Sequence, residues 1–325
     1  MGCRGGGVNM ADLLPSELAL TPATRFAPAP DRPVRLPPTF NYIGAFLTFR
    51  CPYRCSFCIN KYGRAGLRCG SELKGADWLR FFDRLDSSEV PITFQGGEPG
   101  LHPDFVELVR EVSRTRHVDI LSNLAFDLKT FVRRVDPSTL NRNAPYAPIR
   151  VSYHPEQFSL DTIVRRVEFL QAAGFRVGLY GVLHPEQTEE IERAQRVCLE
   201  RGLDFRTKPF LGRHRGVLHG RYAYPLACGA EPVGSCECAP SELLIAPDGA
   251  IHRCHRFLYN GLPPLASVRD PDIALTDDYR PCDQFGACNP CDIKVKNNRF
   301  QQFGHVSVRI RNIRVECVAP APSLA

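Results

Sequence analysis

Residues 51–58 read Cys-Pro-Tyr-Arg-Cys-Ser-Phe-Cys, and the reading of this stretch decides the fold. Its cysteines are spaced C-x3-C-x2-C, with the aromatic Phe57 directly before the last one. Thiolates are soft ligands that suit the tetrahedral irons of an iron–sulfur cluster. Three of them hold three irons of a cubane and leave the fourth open to bind and activate a small molecule. A zinc site more often shows two C-x2-4-C pairs, and disulfides fit poorly in a long chain without a secretory signal. The loop follows an apolar run at 43–49 that suits a buried strand.

Beyond the loop, strand and helix patterns alternate. Strands are expected at 91–95, 118–122, 149–153, 175–183 and 203–208, and helices at 75–85, 104–114, 127–135, 160–173 and 188–201. Gly174 and Gly202 stand where the last two helices should stop. Strands separated by helices of this length make right-handed βαβ units and a parallel sheet, with the chemistry at the C-terminal strand ends. The lead-in, 11–40, is rich in Pro and Ala and reads as extended, with one short helix near 15–20.

The cysteine spacing with its aromatic, followed about forty residues later by Gly96-Gly97-Glu98-Pro99, resembles the radical S-adenosylmethionine (SAM) superfamily. The resemblance spans roughly 41–300 and implies an α/β fold, a partial (β/α)6 barrel with a small cysteine-rich C-terminal domain. It implies that Cys51, Cys55 and Cys58 hold a [4Fe–4S] cluster whose open iron is chelated by SAM, with Phe57 in the cofactor site. Backbone groups of Gly96, Gly97, Glu98 and Pro99 would meet the SAM amino group, glycine permitting close approach. Ser122, Asn123 and Ser152 would touch SAM, and Arg165 or Arg166 its carboxylate. The implied reaction begins with one electron from a flavodoxin or ferredoxin. SAM is cleaved to methionine and a 5′-deoxyadenosyl radical, which abstracts hydrogen from substrate.

His-Pro-Glu-Gln occurs twice, at 154–157 and 184–187, each just past a strand. Pro after His fixes the turn. His154 and His184 are therefore candidates to contact substrate or move a proton; alternatively both are turns whose Glu caps the next helix. Lys208, ending the sixth strand, is a third candidate at the barrel mouth.

Cys228, Cys236, Cys238, Cys254, Cys282, Cys288 and Cys291 fall within sixty-four residues. Cys236-x12-Gly249-x4-Cys254 followed by Cys288-x2-Cys291 resembles the twitch or SPASM auxiliary-cluster domains, Pro247-Asp248-Gly249 making a hairpin turn. The resemblance implies a second [4Fe–4S] cluster on Cys236, Cys254, Cys288 and Cys291, able to accept the substrate's electron. Cys238 can stand in for Cys236; Cys228 and Cys282 have no assignment, and structural zinc is the other reading. Cys3, Cys69, Cys198 and Cys317 read as ordinary residues. The expected domains are 1–40, an extension; 41–212, the barrel; 213–305, the auxiliary domain; and 306–325, a closing strand and tail.

Composition bounds the partners. The 325 residues are 43% hydrophobic and 23% charged with a net charge of +6, as in an ordinary globular protein. No dense Lys/Arg run suggests nucleic acid, and no stretch approaches the 18 apolar residues of a membrane span. The N-terminus carries no signal-peptide pattern, and Gly at position 6 breaks a myristoylation motif. Oxygen-labile clusters imply a reducing cytoplasm. Arg50, Arg54, Lys61, Arg64, Arg213 and Arg215 hint at an anionic substrate. The lead-in is too short for the winged-helix module of many peptide-modifying members, which points to a small-molecule substrate. A peptide-modifying maturase is the alternative, and a non-catalytic iron–sulfur or zinc protein the remote one.

Overall fold

The computed structural model describes residues 31–58, 71–86, 89–296 and 304–315. The expected helix near 15–20, the tail, Lys61, Arg64, Cys3, Cys69 and Cys317 lie outside these residues. Six parallel strands are laid side by side in chain order: β1 (Tyr42–Thr48), β2 (Ile92–Gly96), β3 (Val118–Ser122), β4 (Ile149–Tyr153), β5 (Val177–Leu183) and β6 (Phe205–Pro209). Between them run α1 (Gly75–Arg84), α2 (Phe105–Val112), α3 (Leu128–Arg134), α4 (Pro137–Leu140), α5 (Leu160–Ala172) and α6 (Thr188–Glu200). These elements lie where the periodicities put them, with ends displaced by a residue or two. The short α4 escapes a periodicity reading; it is set by the Asp136 carboxylate capping Ser138 N and by Pro137 in its first turn. Gly174 and Gly202 take φ of +90° and +74°, ending α5 and α6 as expected.

Register divides the sheet into two faces, because neighbouring parallel strands keep side chains of equal parity together. One face carries Ala45, Leu47, Phe94, Ile120, Val151 and Leu179, all buried in the core shared with the helices. The other faces the lumen with Gln95, Asp119, Arg150, Ser152, Tyr180 and Lys208. Low in the lumen, the buried Asp119 carboxylate accepts hydrogen bonds from Arg142, from Arg150 at 2.8 Å and from the Tyr146 hydroxyl at 3.2 Å. That network closes the floor and leaves the C-terminal strand ends as the open mouth.

The expected Pro247-Asp248-Gly249 hairpin is present as β10 (Glu242–Ile245) and β11 (Ala250–His252). It does not stand in a separate layer. β10 pairs parallel to β1, and β12 (Ala266–Ser267) follows β11, so the barrel sheet has nine strands among the described residues. The buried Leu243, Leu244 and Ile245 cover what would otherwise be an open β1 edge. A second sheet joins β13 (Arg280–Phe285), β9 (Gly234–Pro240) and β14 (Val308–Val315), the last being the strand expected near 306–315. The hairpin β7 (Gly212–His214) and β8 (Val217–His219) follows β6, and two short helices, α7 (His255–Tyr259) and α8 (Pro290–Ile293), flank the cysteines. Among the described residues no helix is long and apolar enough to cross a membrane.

Candidate active site

The apolar β1 delivers the chain to Cys51, Cys55 and Cys58, three half-buried thiols on one loop. Burial pushes the Cys51 thiol up, and burial with the charges of Cys58 and Glu156 pushes Cys55 up to about 12. Thiols held this way have no stable anionic form without a cation, and three soft donors on one loop fit a cluster. The residue before the first, Arg50, is anchored to Glu72 at 3.0 Å and to Leu101 O at 2.9 Å.

Gly96 and Gly97 pack directly on the chain entering this loop. Gly97 N donates to Thr48 O at 2.9 Å and Glu98 N to Arg50 O at 2.8 Å. A Cβ at Gly96, where φ is +137°, would stand 2.2 Å from Thr48 O, and one at Gly97 would stand 2.2 Å from Arg50 O. The glycines are thus demanded by the protein's own backbone, a reason beyond the cofactor approach expected from sequence. Glu98 is fully buried and opens the Pro99–Leu101 turn by accepting from Gly100 N. Its carboxylate also accepts from Ser122 Oγ at 2.8 Å and Asn123 N at 2.7 Å, while burial pushes its pKa up to about 7. Ser122 Oγ further accepts from Leu124 N at 2.7 Å. Asn123 spends Oδ1 on Ala125 N and points Nδ2 at Cys51 Sγ, 3.6 Å away. Ser122 and Glu98 therefore build the frame, and Asn123 reaches the Cys51 thiol.

Ser152 is half-buried in the lumen, its hydroxyl making no hydrogen bond among the described residues. Arg165 is exposed on α5, whereas Arg166 turns to Leu124 O at 3.4 Å. Arg166 is the one of the pair that sits beside the frame. Phe57 is flanked by His184, stacked at 5.1 Å between centroids, and by His154 at 5.7 Å. Burial pushes His154 down to about 4 and His184 below the usual imidazole range, so both rings are neutral. Neither Glu of the repeated tetrapeptide caps its helix: Ser159 caps α5 and Gln187 starts α6. Lys208 holds its ammonium 4.5 Å over the Tyr180 ring. Surrounding protein, then Arg150 and Lys294, push it down to about 7, although its side chain stays open to the lumen. Of the loop arginines, Arg50 is engaged, Arg215 pairs with Glu186 at 2.7 Å and Arg213 donates to Gly216 O, whereas Arg54 is exposed with no ion pair among the described residues.

The C-terminal cysteines gather differently from their spacing. Cys236 and Cys238 stand two residues apart on one face of β9, and the register of β13 sets Cys282 opposite Cys236. The three sulfurs lie within 4.8 Å of one another. Cys238, Cys254, Cys282 and Cys288 line one small cavity beside them. Of the expected set, Cys236, Cys254 and Cys288 meet here; the Cys291 thiol instead feels Lys294, Asp292 and Lys296. Cys282, without an assignment in the sequence, is central. Its hydrogen bond to Cys238 favours the thiolate and holds it below the usual thiol range. Four thiols around one cavity, with Cys236 beside two of them, fit an auxiliary metal centre. Asp292 fixes the local backbone by accepting from His255 N at 2.8 Å and Arg256 N at 3.1 Å, directly after Cys254.

Comparison with known proteins agrees with this geometry. Residues 46–198 match the family model of the radical SAM superfamily. The PqqA peptide cyclase of Granulibacter bethesdensis is 37% identical over 81 residues, spanning 24% of this chain and only 21% of that relative. The PqqA peptide cyclase of Ruegeria pomeroyi is 25% identical over 307 residues, 76% of this chain and 78% of its own. A solved structure described as native anSMEcpe with bound AdoMet and Cp18Cys peptide shares the fold, with a TM-score of 0.50 at 12% identity, covering 75% of this chain and 79% of that one. The chain carries a radical SAM domain over residues 46–198. It is an enzyme, which sets aside the non-catalytic reading.

Proposed function

We propose that this enzyme applies radical SAM chemistry to a peptide. The observation that carries the reading is the likeness, over three quarters of the chain, to a PqqA peptide cyclase. It favours the peptide alternative over the small-molecule substrate expected from the short lead-in. Cys51, Cys55 and Cys58 would hold the [4Fe–4S] cluster, with Asn123 beside the first of them. When bound, cluster and SAM supply a one-electron reductive cleavage and the removal of a hydrogen atom from substrate. The chain's own residues shape what enters. Among the described residues, Gln95 Nε2 is a buried donor without a partner and Lys208 has no carboxylate beside it. Donors facing a lumen recruit acceptors, which the carbonyls and acidic side chains of a peptide provide. Cys236, Cys238 and Cys282, completed by Cys254 or Cys288, would hold an auxiliary cluster. A flavodoxin or ferredoxin is the electron donor, in a reducing cytoplasm.

Co-expression with any small open reading frame adjacent to the gene, followed by mass spectrometry of the peptide, tests this. A peptide that has lost hydrogens, together with 5′-deoxyadenosine formed from SAM under dithionite, supports it. Turnover of 5′-deoxyadenosine with every adjacent peptide unchanged would return the small-molecule reading.

A further inference from the structure

The two His-Pro-Glu-Gln tetrapeptides are identical in sequence and differ in what they hold. In the first copy, each side chain except proline meets a different residue of the cysteine loop. His154 lies against Phe57, Glu156 Oε1 accepts from Ser56 N at 2.6 Å, and Gln157 Oε1 accepts from Arg54 N at 3.3 Å. Phe158, the next residue, packs on Tyr53 at 5.2 Å between centroids. The two segments run antiparallel, so residues 154–158 read the loop from 57 back to 53. In the second copy, Glu186 reaches the β7–β8 hairpin instead. It pairs with Arg215 at 2.7 Å and lies 3.5 Å from His214, while His184 keeps the other side of Phe57.

We propose that residues 154–158 are positioning residues that set the backbone of the Cys51–Cys58 loop, and that Glu186 does the same for the hairpin at the mouth. The cluster loop has little regular structure of its own, only a single turn closed by Cys58 N donating to Cys55 O. Its geometry must come from outside, and residues 154–158, held between the end of β4 and the start of α5, supply it. A strand end that stops in His-Pro provides the extended approach, proline excluding helical geometry for the residue before it. The assignment rests on the loop holding the cluster and not on which substrate is turned over.

The test compares the anaerobically reconstituted full chain with Glu156→Ala/Gln157→Ala, Glu156→Gln and Glu186→Ala. Two readouts are taken: hydrogen exchange of the amides at 53–58, and the rate at which an iron chelator bleaches the clusters. Loss of two hydrogen bonds predicts about tenfold faster exchange and bleaching in the double variant. Glu156→Gln keeps an oxygen for Ser56 N and should stay near wild type, which also shows that the site still folds. Glu186→Ala should leave exchange at 53–58 unchanged and accelerate it at 212–219. Wild-type exchange at 53–58 in the double variant would overturn the proposal. So would a Glu156→Gln protein as fast as the double variant, since the carboxylate would then act through its charge and not as a hydrogen-bond acceptor.

Discussion

Glu98 accepts the backbone N–H of Asn123 at 2.7 Å, and Asn123 directs its side-chain amide at the Cys51 sulfur, 3.6 Å away. A buried carboxylate thereby ties three strand ends together: β1 through the loop, β2 through its own turn, and β3 through Ser122 and Asn123. The carboxylate has three donors, and removing it strands all of them.

Glu98→Gln leaves one donor facing an amide N–H and should destabilise the fold by about 1–2 kcal/mol at neutral pH. The pH dependence has a definite sign. Burial raises the folded pKa from 4.5 to about 7, so the folded protein holds this proton more tightly than the unfolded chain. The contribution is fully present below pH 4.5 and is lost as pH rises through about 7. Urea midpoints between pH 5 and 7.5 should fall more steeply in the wild type than in Glu98→Gln. Parallel curves would show that Glu98 is not the group responsible.

Gly97→Ala places a methyl against Arg50 O and Phe49 O, at 2.2 and 2.6 Å. Backbone on both sides must move, and what moves is the segment leading into Cys51. The variant should lose about 2 kcal/mol or more and reconstitute with less iron at the first cluster. Iron content equal to wild type at an unchanged melting temperature would mean that the loop tolerates the shift.

Iron and sulfide content separates the two cysteine groups. With four irons per cubane, the wild type should hold about eight, falling to about four in Cys51/Cys55/Cys58→Ala and in Cys236/Cys238/Cys282→Ala alike. Zinc in the first triple variant, with no iron left, would make the C-terminal centre a structural zinc site.

Asp119→Asn removes the carboxylate that Arg142 and Arg150 share in the barrel floor. Breaking a buried pair of this kind costs about 3–5 kcal/mol, read as a lower denaturant midpoint. A change below about 1 kcal/mol would indicate that water replaces the carboxylate.

Local chemistry was legible in the sequence because it is written in short spacings. The apolar period placed the six strands and the main helices, the cysteine trio and GGEP marked two stretches that meet at the strand ends, and Pro-Asp-Gly placed a turn. What only the tertiary structure decided is which separated stretches meet. Cys282 lies opposite Cys236 because β13 pairs with β9 in one register, and a slip of one residue would turn its thiol to the other face. The β10–β11 hairpin joins the barrel sheet because β1 has an open edge and β10 an apolar one. The two identical tetrapeptides act on different loops because β4 stands on the cluster-loop side and β5 beside the hairpin. Spacing along a chain records neighbours within an element; contact across elements follows from strand order and burial, which the whole core settles at once.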